Sequence, residues 1–347
     1  MLGIKIPLSK TTILPVLSFT LSSYYLINFI FYLQYTDYTG LVEFLLIGVP
    51  FIGRAITPIT YPFLMSRLDI ERLIYLSLGN MAILDILEFF VATNPSALIL
   101  LRVVTGILFG LATSAAVELA TQSRSKIIIG MTMGGWALGW ILAALVSFVV
   151  GKLILIVSSF ALIFFLLVKR SSIDKKMFSN TGNINIAFSW KALIIFLLGF
   201  EPAYILQLVP SLLGENNAIE ETIIAYFISF IVYIILPIFR NIRISSLLSS
   251  LLIGILGFMS FIALKVWLFI PFTVLGLGLN SLLPIIIRSI KVEVRKIGPS
   301  MNLASLSGFL IPSLVSIGDI EINSAILTLI SSISLGVIVY KNLKIAT

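Results

Sequence analysis

Residues 97–126 read ALILLRVVTGILFGLATSAAVELATQSRSK. Up to the bases Arg124 and Lys126 the stretch is apolar or small, interrupted by Arg102 and Glu118. A helix that crosses the hydrocarbon of a bilayer needs about 20 such residues. Gly106, Gly110 and Ser114 follow one another at intervals of four, so they line one helix face and let a second helix approach closely. The stretch therefore reads as a membrane span packed among other spans. Its two interior charges need partners there.

The rest of the chain agrees. Of its 347 residues 59% are hydrophobic and 11% charged, against about 25% charged in an ordinary globular domain. There is no cysteine and no histidine. That excludes a disulfide framework, a thiolate nucleophile, a Ser-His-Asp triad and histidine or cysteine metal sites. Any proton chemistry must use carboxylates. The net charge of +8 does not point to nucleic acid, because the bases fall between apolar blocks rather than on one broad surface.

Twelve apolar stretches are long enough to span: about 11–35, 41–66, 73–93, 96–120, 127–150, 152–169, 190–213, 220–239, 244–264, 266–288, 298–318 and 322–340. The first exceeds a signal-peptide core and lacks a small-x-small cleavage site, so it is expected to remain as a membrane helix. With both termini inside, all but four of the 23 bases fall on inner segments. Lys152 and Lys265 are outside, and Arg54 and Arg102 lie within spans. Acids Asp37, Glu43, Glu215, Glu220, Glu221, Asp319 and Glu321 mark the outer loops. An odd number of spans would scramble that alternation.

The polar, basic stretch 169–191 is the longest loop and splits the chain six spans from six. The reading is an all-α integral membrane protein of two pseudo-symmetric bundles, 1–170 and 190–347, joined by a cytoplasmic linker at 171–189. A solute site between them near the midplane follows from such a split. The second-to-third and eighth-to-ninth connections echo one another, with Pro62 before Arg67 and Pro237 before Arg240.

At this point the whole chain resembles the major facilitator superfamily. The fourth span is similar to that family's pattern of arginine, glycine four residues on, small residues and an inner acid, here Arg102, Gly106, Gly110 and Glu118, with Arg124 following. MSRLDIERL at 65–73 resembles the family's G-x-x-x-D-R-x-G-R-R loop: Arg67 and Arg72 match, while Ser66 and Asp69 stand where aspartate and glycine belong. GGWALGWILAAL at 134–145 resembles an antiporter-type fifth span, with Trp140 in place of proline and Ala143 and Ala144 in place of glycines. Antiport is therefore not inferred. The resemblance implies an inner-gate network around Glu118, Arg124, Arg67 and Arg72. It also implies a central cavity lined by spans one, four, seven and ten.

Six ionisable residues sit inside spans: Arg54, Asp85, Glu88, Arg102, Glu118 and Glu201. Each is a functional hypothesis by default. Glu118, near Arg124 and Lys126, reads as an ion pair steadying the inner end of the first bundle. Asp85 and Glu88 share a helix face, and the tight turn Asn94-Pro95-Ser96 brings Glu88 level with Arg102. That pair is either an outer-end ion pair or an outer gate and proton relay. Arg54, beside Pro50, Gly53, Pro58 and Pro62, either satisfies carbonyls and Asp85 or binds an anionic solute. Glu201, before Pro202, has no base near it in sequence. Low dielectric disfavours a charged carboxylate, so Glu201 is the leading proton-coupling candidate, with Asp85 and Glu88 beside it; the alternative is a protonated glutamate hydrogen-bonded to a neighbouring helix. The resemblance turns Glu201 toward the cavity. Tyr24, Asn28, Tyr204, Gln207 and Asn280 join Arg54 and Arg102 as solute-binding candidates, and Trp136 and Trp140 read as core.

The function expected is secondary active transport of a small solute by alternating access, coupled to protons at Glu201. A uniporter is the near variant, and a non-transporting sensor or scaffold on the same fold is the alternative. Absence of H-E-x-x-H and P-loop patterns argues against an enzyme. The expected setting is a monomer in the cell membrane, meeting lipid and solute, with no cofactor, metal or nucleic acid.

Overall fold

A computed structural model describes residues 10–163, 186–205, 215–239, 241–263 and 265–345. The linker bases Lys169, Arg170, Lys175 and Lys176, and the candidate Gln207, lie outside them. The first half contains α1 (Lys10–Leu33), α2 (Gly40–Ala55), α3 (Thr57–Met65), α4 (Ile70–Phe90), α5 (Pro95–Gln122), α6 (Lys126–Val150) and the one-turn α7 (Ile154–Val157). The second contains α8 (Trp190–Ile205), α9 (Glu215–Ile238), α10 (Ile242–Ala263), α11 (Val266–Leu279), α12 (Leu283–Ser289), α13 (Val294–Ala304), α14 (Ser307–Val315) and α15 (Ile320–Ile345). No strand occurs among the described residues. Among the described residues seven helical segments are long and apolar enough to cross a membrane, and α2 with α3 would make an eighth, bent by 51°.

Large apolar side chains cover the outside, among them Phe90, Phe148, Phe227 and Ile317. A contiguous apolar surface of this extent has no place in water and fits the acyl chains of a bilayer. Polar groups are turned inward instead. Connections carrying Arg67, Arg124 and Lys291, and the first turn of α13 with Arg295 and Lys296, gather at one end of the molecule, where Arg288 Nη1 donates to the carbonyl of Thr121 at 2.5 Å. Asp37, Glu43, Asp319 and Glu321 mark the other, where the Tyr38 hydroxyl donates to the carbonyl of Ala92 at 2.8 Å. These are called the basic and acidic ends below.

Broken spans have local causes. Pro58 cannot donate to the carbonyl of Arg54, so the helix stops at Ile56 and restarts as α3. Pro284 opens α12 after the break that follows Leu279. The stretch 152–169, expected as one span, is described to Ile163 as short 3₁₀ turns flanking α7. Gly151, at φ 55° and ψ −130°, turns the chain there, and α7 packs on α1 and α4.

Within the first half α1 packs on α6 and α5, and α2 on α5; within the second α8 packs on α13, and α9 on α11. The halves meet chiefly where α6 packs on α9 and α5 on α13, with α2 and α3 also on α13 and α2 on α14. Small residues set those distances. A Cβ on Gly106 would overlap the backbone of Pro50, and one on Gly298 would lie 2.6 Å from the Cα of Ser114. On α6, Gly130 faces the backbone of Tyr233 on α9, while Gly135 and Gly139 face α1. The small-residue stripe of the fourth span thus serves close packing.

Candidate functional site

Between the halves lies a cavity of about 680 Å³, within the range of pockets that hold small organic ligands. Helices α1, α2, α5 and α6 wall it on one side and α8, α9, α11, α13 and α14 on the other. Its wall is mainly aromatic and aliphatic. Trp140 stacks on Tyr226 across the α6–α9 seam at 5.0 Å and 11°. Phe51 meets Tyr204 edge-on at 5.5 Å across the α2–α8 gap, and Gly308 leaves room for both rings. Trp136 and Trp140 are therefore wall residues of the cavity rather than plain core. Ser313 and Ser316 line it and are exposed, so the cavity opens at the acidic end.

The basic end is closed by polar contacts that run from one half to the other. Asn302 on α13 is buried and accepts from Arg54 Nε at 3.0 Å. Its amide nitrogen donates to the carbonyl of Gly110 and the hydroxyl of Ser114, each at 3.0 Å. One layer nearer the basic end, Glu118 accepts from the Tyr61 hydroxyl at 2.7 Å, from Gln122 at 3.1 Å and from Arg295 Nε at 3.5 Å. The segment leading into α8 adds to these: the N–H of Ala187 donates across to the carbonyl of Pro58 at 2.9 Å, while that of Ser189 donates to Ser300 Oγ on its own side at 3.0 Å.

This geometry corrects the expected partner of Glu118. Its base is Arg295 of the second half, not Arg124 or Lys126, so the pair ties the halves together rather than steadying the first bundle alone. Arg124 instead occupies a left-handed turn at φ 58°. Arg67 lies over the ring of Phe63 at 4.2 Å, and Arg72 makes a surface pair with Asp69 at 3.7 Å.

A second polar cluster is buried inside the first half. Arg102 Nη1 faces Glu88 Oε2 at 3.9 Å, and both side chains are fully buried. The guanidinium also donates to the carbonyls of Leu46 at 3.2 Å and Leu26 at 3.1 Å, and lies over Phe29 at 4.5 Å. Glu88 accepts from Thr105 at 3.1 Å, and Asp85 from Asn28 at 3.2 Å. Asn94 caps α5 by accepting from the N–H of Ala97, which fixes the turn that brings Arg102 beside Glu88. Of the two carboxyls, Glu88 is the one paired with the guanidinium, while Asp85 is held by Asn28. Arg102 reaches the cavity wall, whereas Asp85, Glu88, Tyr24 and Asn28 do not.

Glu201 departs most from expectation. It is buried, and among the described residues no base pairs with its carboxyl. Its neighbours Phe200, Ala203 and Tyr204 line the cavity, but Glu201 does not. It is turned toward Ser331 on α15. Among the solute candidates, Arg54, Arg102, Tyr204 and Asn280 are on the wall, and Arg54 neighbours Tyr204 rather than Asp85. Asn302 and Arg295 were missed by sequence reasoning. The available signal was the run of Gly298, Ser300, Asn302, Ser305 and Ser307, unusually polar for a span.

The fold is that of the major facilitator superfamily. Over 96% of this chain it is similar to the proton:xylose symporter XylE bound to 6-bromo-6-deoxy-D-glucose, with a TM-score of 0.70, 13% identity and 95% of that chain covered. It is also similar to a bacterial homologue of the iron transporter ferroportin in the outward-facing state, with a TM-score of 0.67, 15% identity and 98% of that chain covered. No protein-family profile and no curated protein sequence matches the chain.

Proposed function

We propose that this protein is a secondary active transporter that carries a small solute across the cell membrane by alternating access, coupled to protons. The reading takes the chain as twelve spans in two six-helix bundles, 1–170 and 190–347, with the linker and both termini on the cytoplasmic side. One observation carries it: a central cavity is open at the acidic end and closed at the basic end by contacts made between the halves. Such contacts can be exchanged for a mirror set by rocking one half on the other. A repeated turn supports the two-bundle reading. Among the described residues Arg124 after α5 and Lys291 after α12 are the two non-glycine residues at positive φ, 58° and 61°, and they occupy matching places in the two halves.

For coupling, the Asp85–Glu88–Arg102 cluster replaces Glu201 as the leading site. Its two carboxyls against one guanidinium leave a negative charge that one proton cancels. Arg102 connects that balance to the cavity wall. Glu201, facing α15, is assigned to packing between α8 and α15.

The test is flux in liposomes that enclose a pH dye, screened across solute classes. Solute-driven proton entry is expected in the wild type and in Glu201→Gln, and is expected to vanish in Glu88→Gln. Solute flux without protons would remove the coupling and keep transport. No flux for any class would favour a non-transporting sensor or scaffold.

A further inference from the structure

Arg54 is the only residue of the cavity wall whose full charge is not matched by a described opposite charge. Its side chain is 4% exposed and sits at the cavity floor, next to the closed basic end. Arginine cannot shed its proton to relieve burial. Asn302, Tyr204 and the rings of Phe109 at 4.4 Å and Phe51 at 5.6 Å surround it. All are neutral. The carbonyl end of α2, whose last turn holds Arg54, contributes a partial negative charge of about half an electron and no more. Among the described residues no carboxylate lies within ion-pair distance of it, and none of those on the wall is an aspartate or glutamate. Arg102, the other wall cation, is matched by Glu88.

A buried charge in low dielectric is costly until an opposite charge reaches it. Here the space from which one can arrive is the cavity. The rest of the wall sets the body of that ligand. Phe19, Phe51, Trp136, Trp140 and Tyr226 offer rings and edges, with the neutral polar groups of Tyr233, Thr273 and Asn280 among them. A neutral solute would leave the Arg54 charge uncompensated, and a metal cation would meet a guanidinium without a carboxylate to hold it.

We propose that the solute is an organic anion with an apolar body, its carboxylate or equivalent acid group seated on Arg54 and its body against the aromatic wall. The inference rests on reading the cavity as the solute site, and it deepens that reading by fixing the ligand's charge and polarity.

Calorimetric titration of the detergent-purified full chain tests it. Hexanoate, 3-phenylpropanoate and 2-naphthoate serve as probes, each beside its amide and its amine. At least one carboxylate is expected to bind ten-fold or more tighter than its own amide and amine. Arg54→Gln is expected to abolish that preference, and Arg54→Lys to retain part of it. The comparison of isosteres on the wild type stands even where a variant fails to fold. The proposal is overturned if no carboxylate outbinds its amide, or if a well-folded Arg54→Gln keeps the preference. Flux in liposomes separates the two levels. Transport of a neutral or cationic solute without anion preference would sink the ligand class and leave transport. Arg54-dependent anion binding without flux of any solute would keep the site and remove the transport reading.

Discussion

At the scale of single residues, buried charge dominates the energetics of this chain. Glu88 and Arg102 are fully buried and face each other, so removing one strands the other. Breaking a buried pair this way costs about 3–5 kcal/mol. Glu88→Gln is therefore expected to lower the thermal midpoint strongly in detergent, and Glu88→Gln with Arg102→Gln to recover much of the loss. Asp85→Asn should behave oppositely. It keeps the size of a side chain that pairs with Asn28 while removing the surplus negative charge, so its midpoint should equal or exceed that of the wild type. Thermal unfolding of the four proteins checks the order, and a loss in Asp85→Asn as large as in Glu88→Gln would refute the charge balance. Asn302 makes a second case. It receives Arg54 and donates to Gly110 and Ser114, so Asn302→Ala leaves several buried groups unpaired. A loss of about 1–3 kcal/mol for each group left without a partner is the ordinary scale. The expected drop in unfolding midpoint should exceed that of Ser313→Ala at the exposed mouth. The Glu88–Arg102 pair was legible in the sequence because a capped turn of a few residues joins its two helices. Arg54–Asn302 and Glu118–Arg295 were not, because their members are 248 and 177 positions apart. Only the docking of the halves brings them together.

Helices repeat the lesson with packing in place of charge. Apolar length located α1, α4, α5, α6 and α10 closely, since a bilayer selects for length and hydropathy before anything else. Rotation about a helix axis was harder. Glu201 and its neighbour Phe200 are one residue apart, or about 100° on the helix. That single step separates the cavity wall from the α15 side. Glycines record rotation better, because each reports what passes close to it. Gly106→Ala would drive a methyl into the backbone of Pro50, which cannot rotate away as a side chain can. α2 and α5 must then separate, and the fourth-span stripe loses its contact. Gly79, also within a helix, would place a Cβ in open space. Gly79→Ala should be neutral or stabilise by roughly 0.5–1 kcal/mol through helix propensity. Gly106→Ala should destabilise, and a reversed order in their unfolding midpoints would exclude the α2–α5 contact described.

For the whole molecule, the decisive property is which end of the cavity communicates with water. The chain has no cysteine, so a single introduced thiol reports without background. Ser313 lines the cavity and is exposed near the acidic end, whereas Ser300 is buried at the closed basic end against the N–H of Ser189. In right-side-out vesicles, Ser313→Cys should react rapidly with an impermeant maleimide added outside, and Ser300→Cys slowly from either side. Arg295→Gln removes the charge that Glu118 holds across the α5–α13 seam. It should weaken the closed basic end relative to the mirror arrangement and raise labelling of Ser300→Cys from the inside several-fold. Labelling of Ser313→Cys should fall in the same variant, because opening one end of a rocking pair closes the other. The reciprocal change is the informative part. A rise at Ser300 with no fall at Ser313 would describe a channel-like opening or local unfolding, and alternating access would have to be abandoned. A fall and rise of matching size would place Glu118–Arg295 among the contacts that set the balance between the two states.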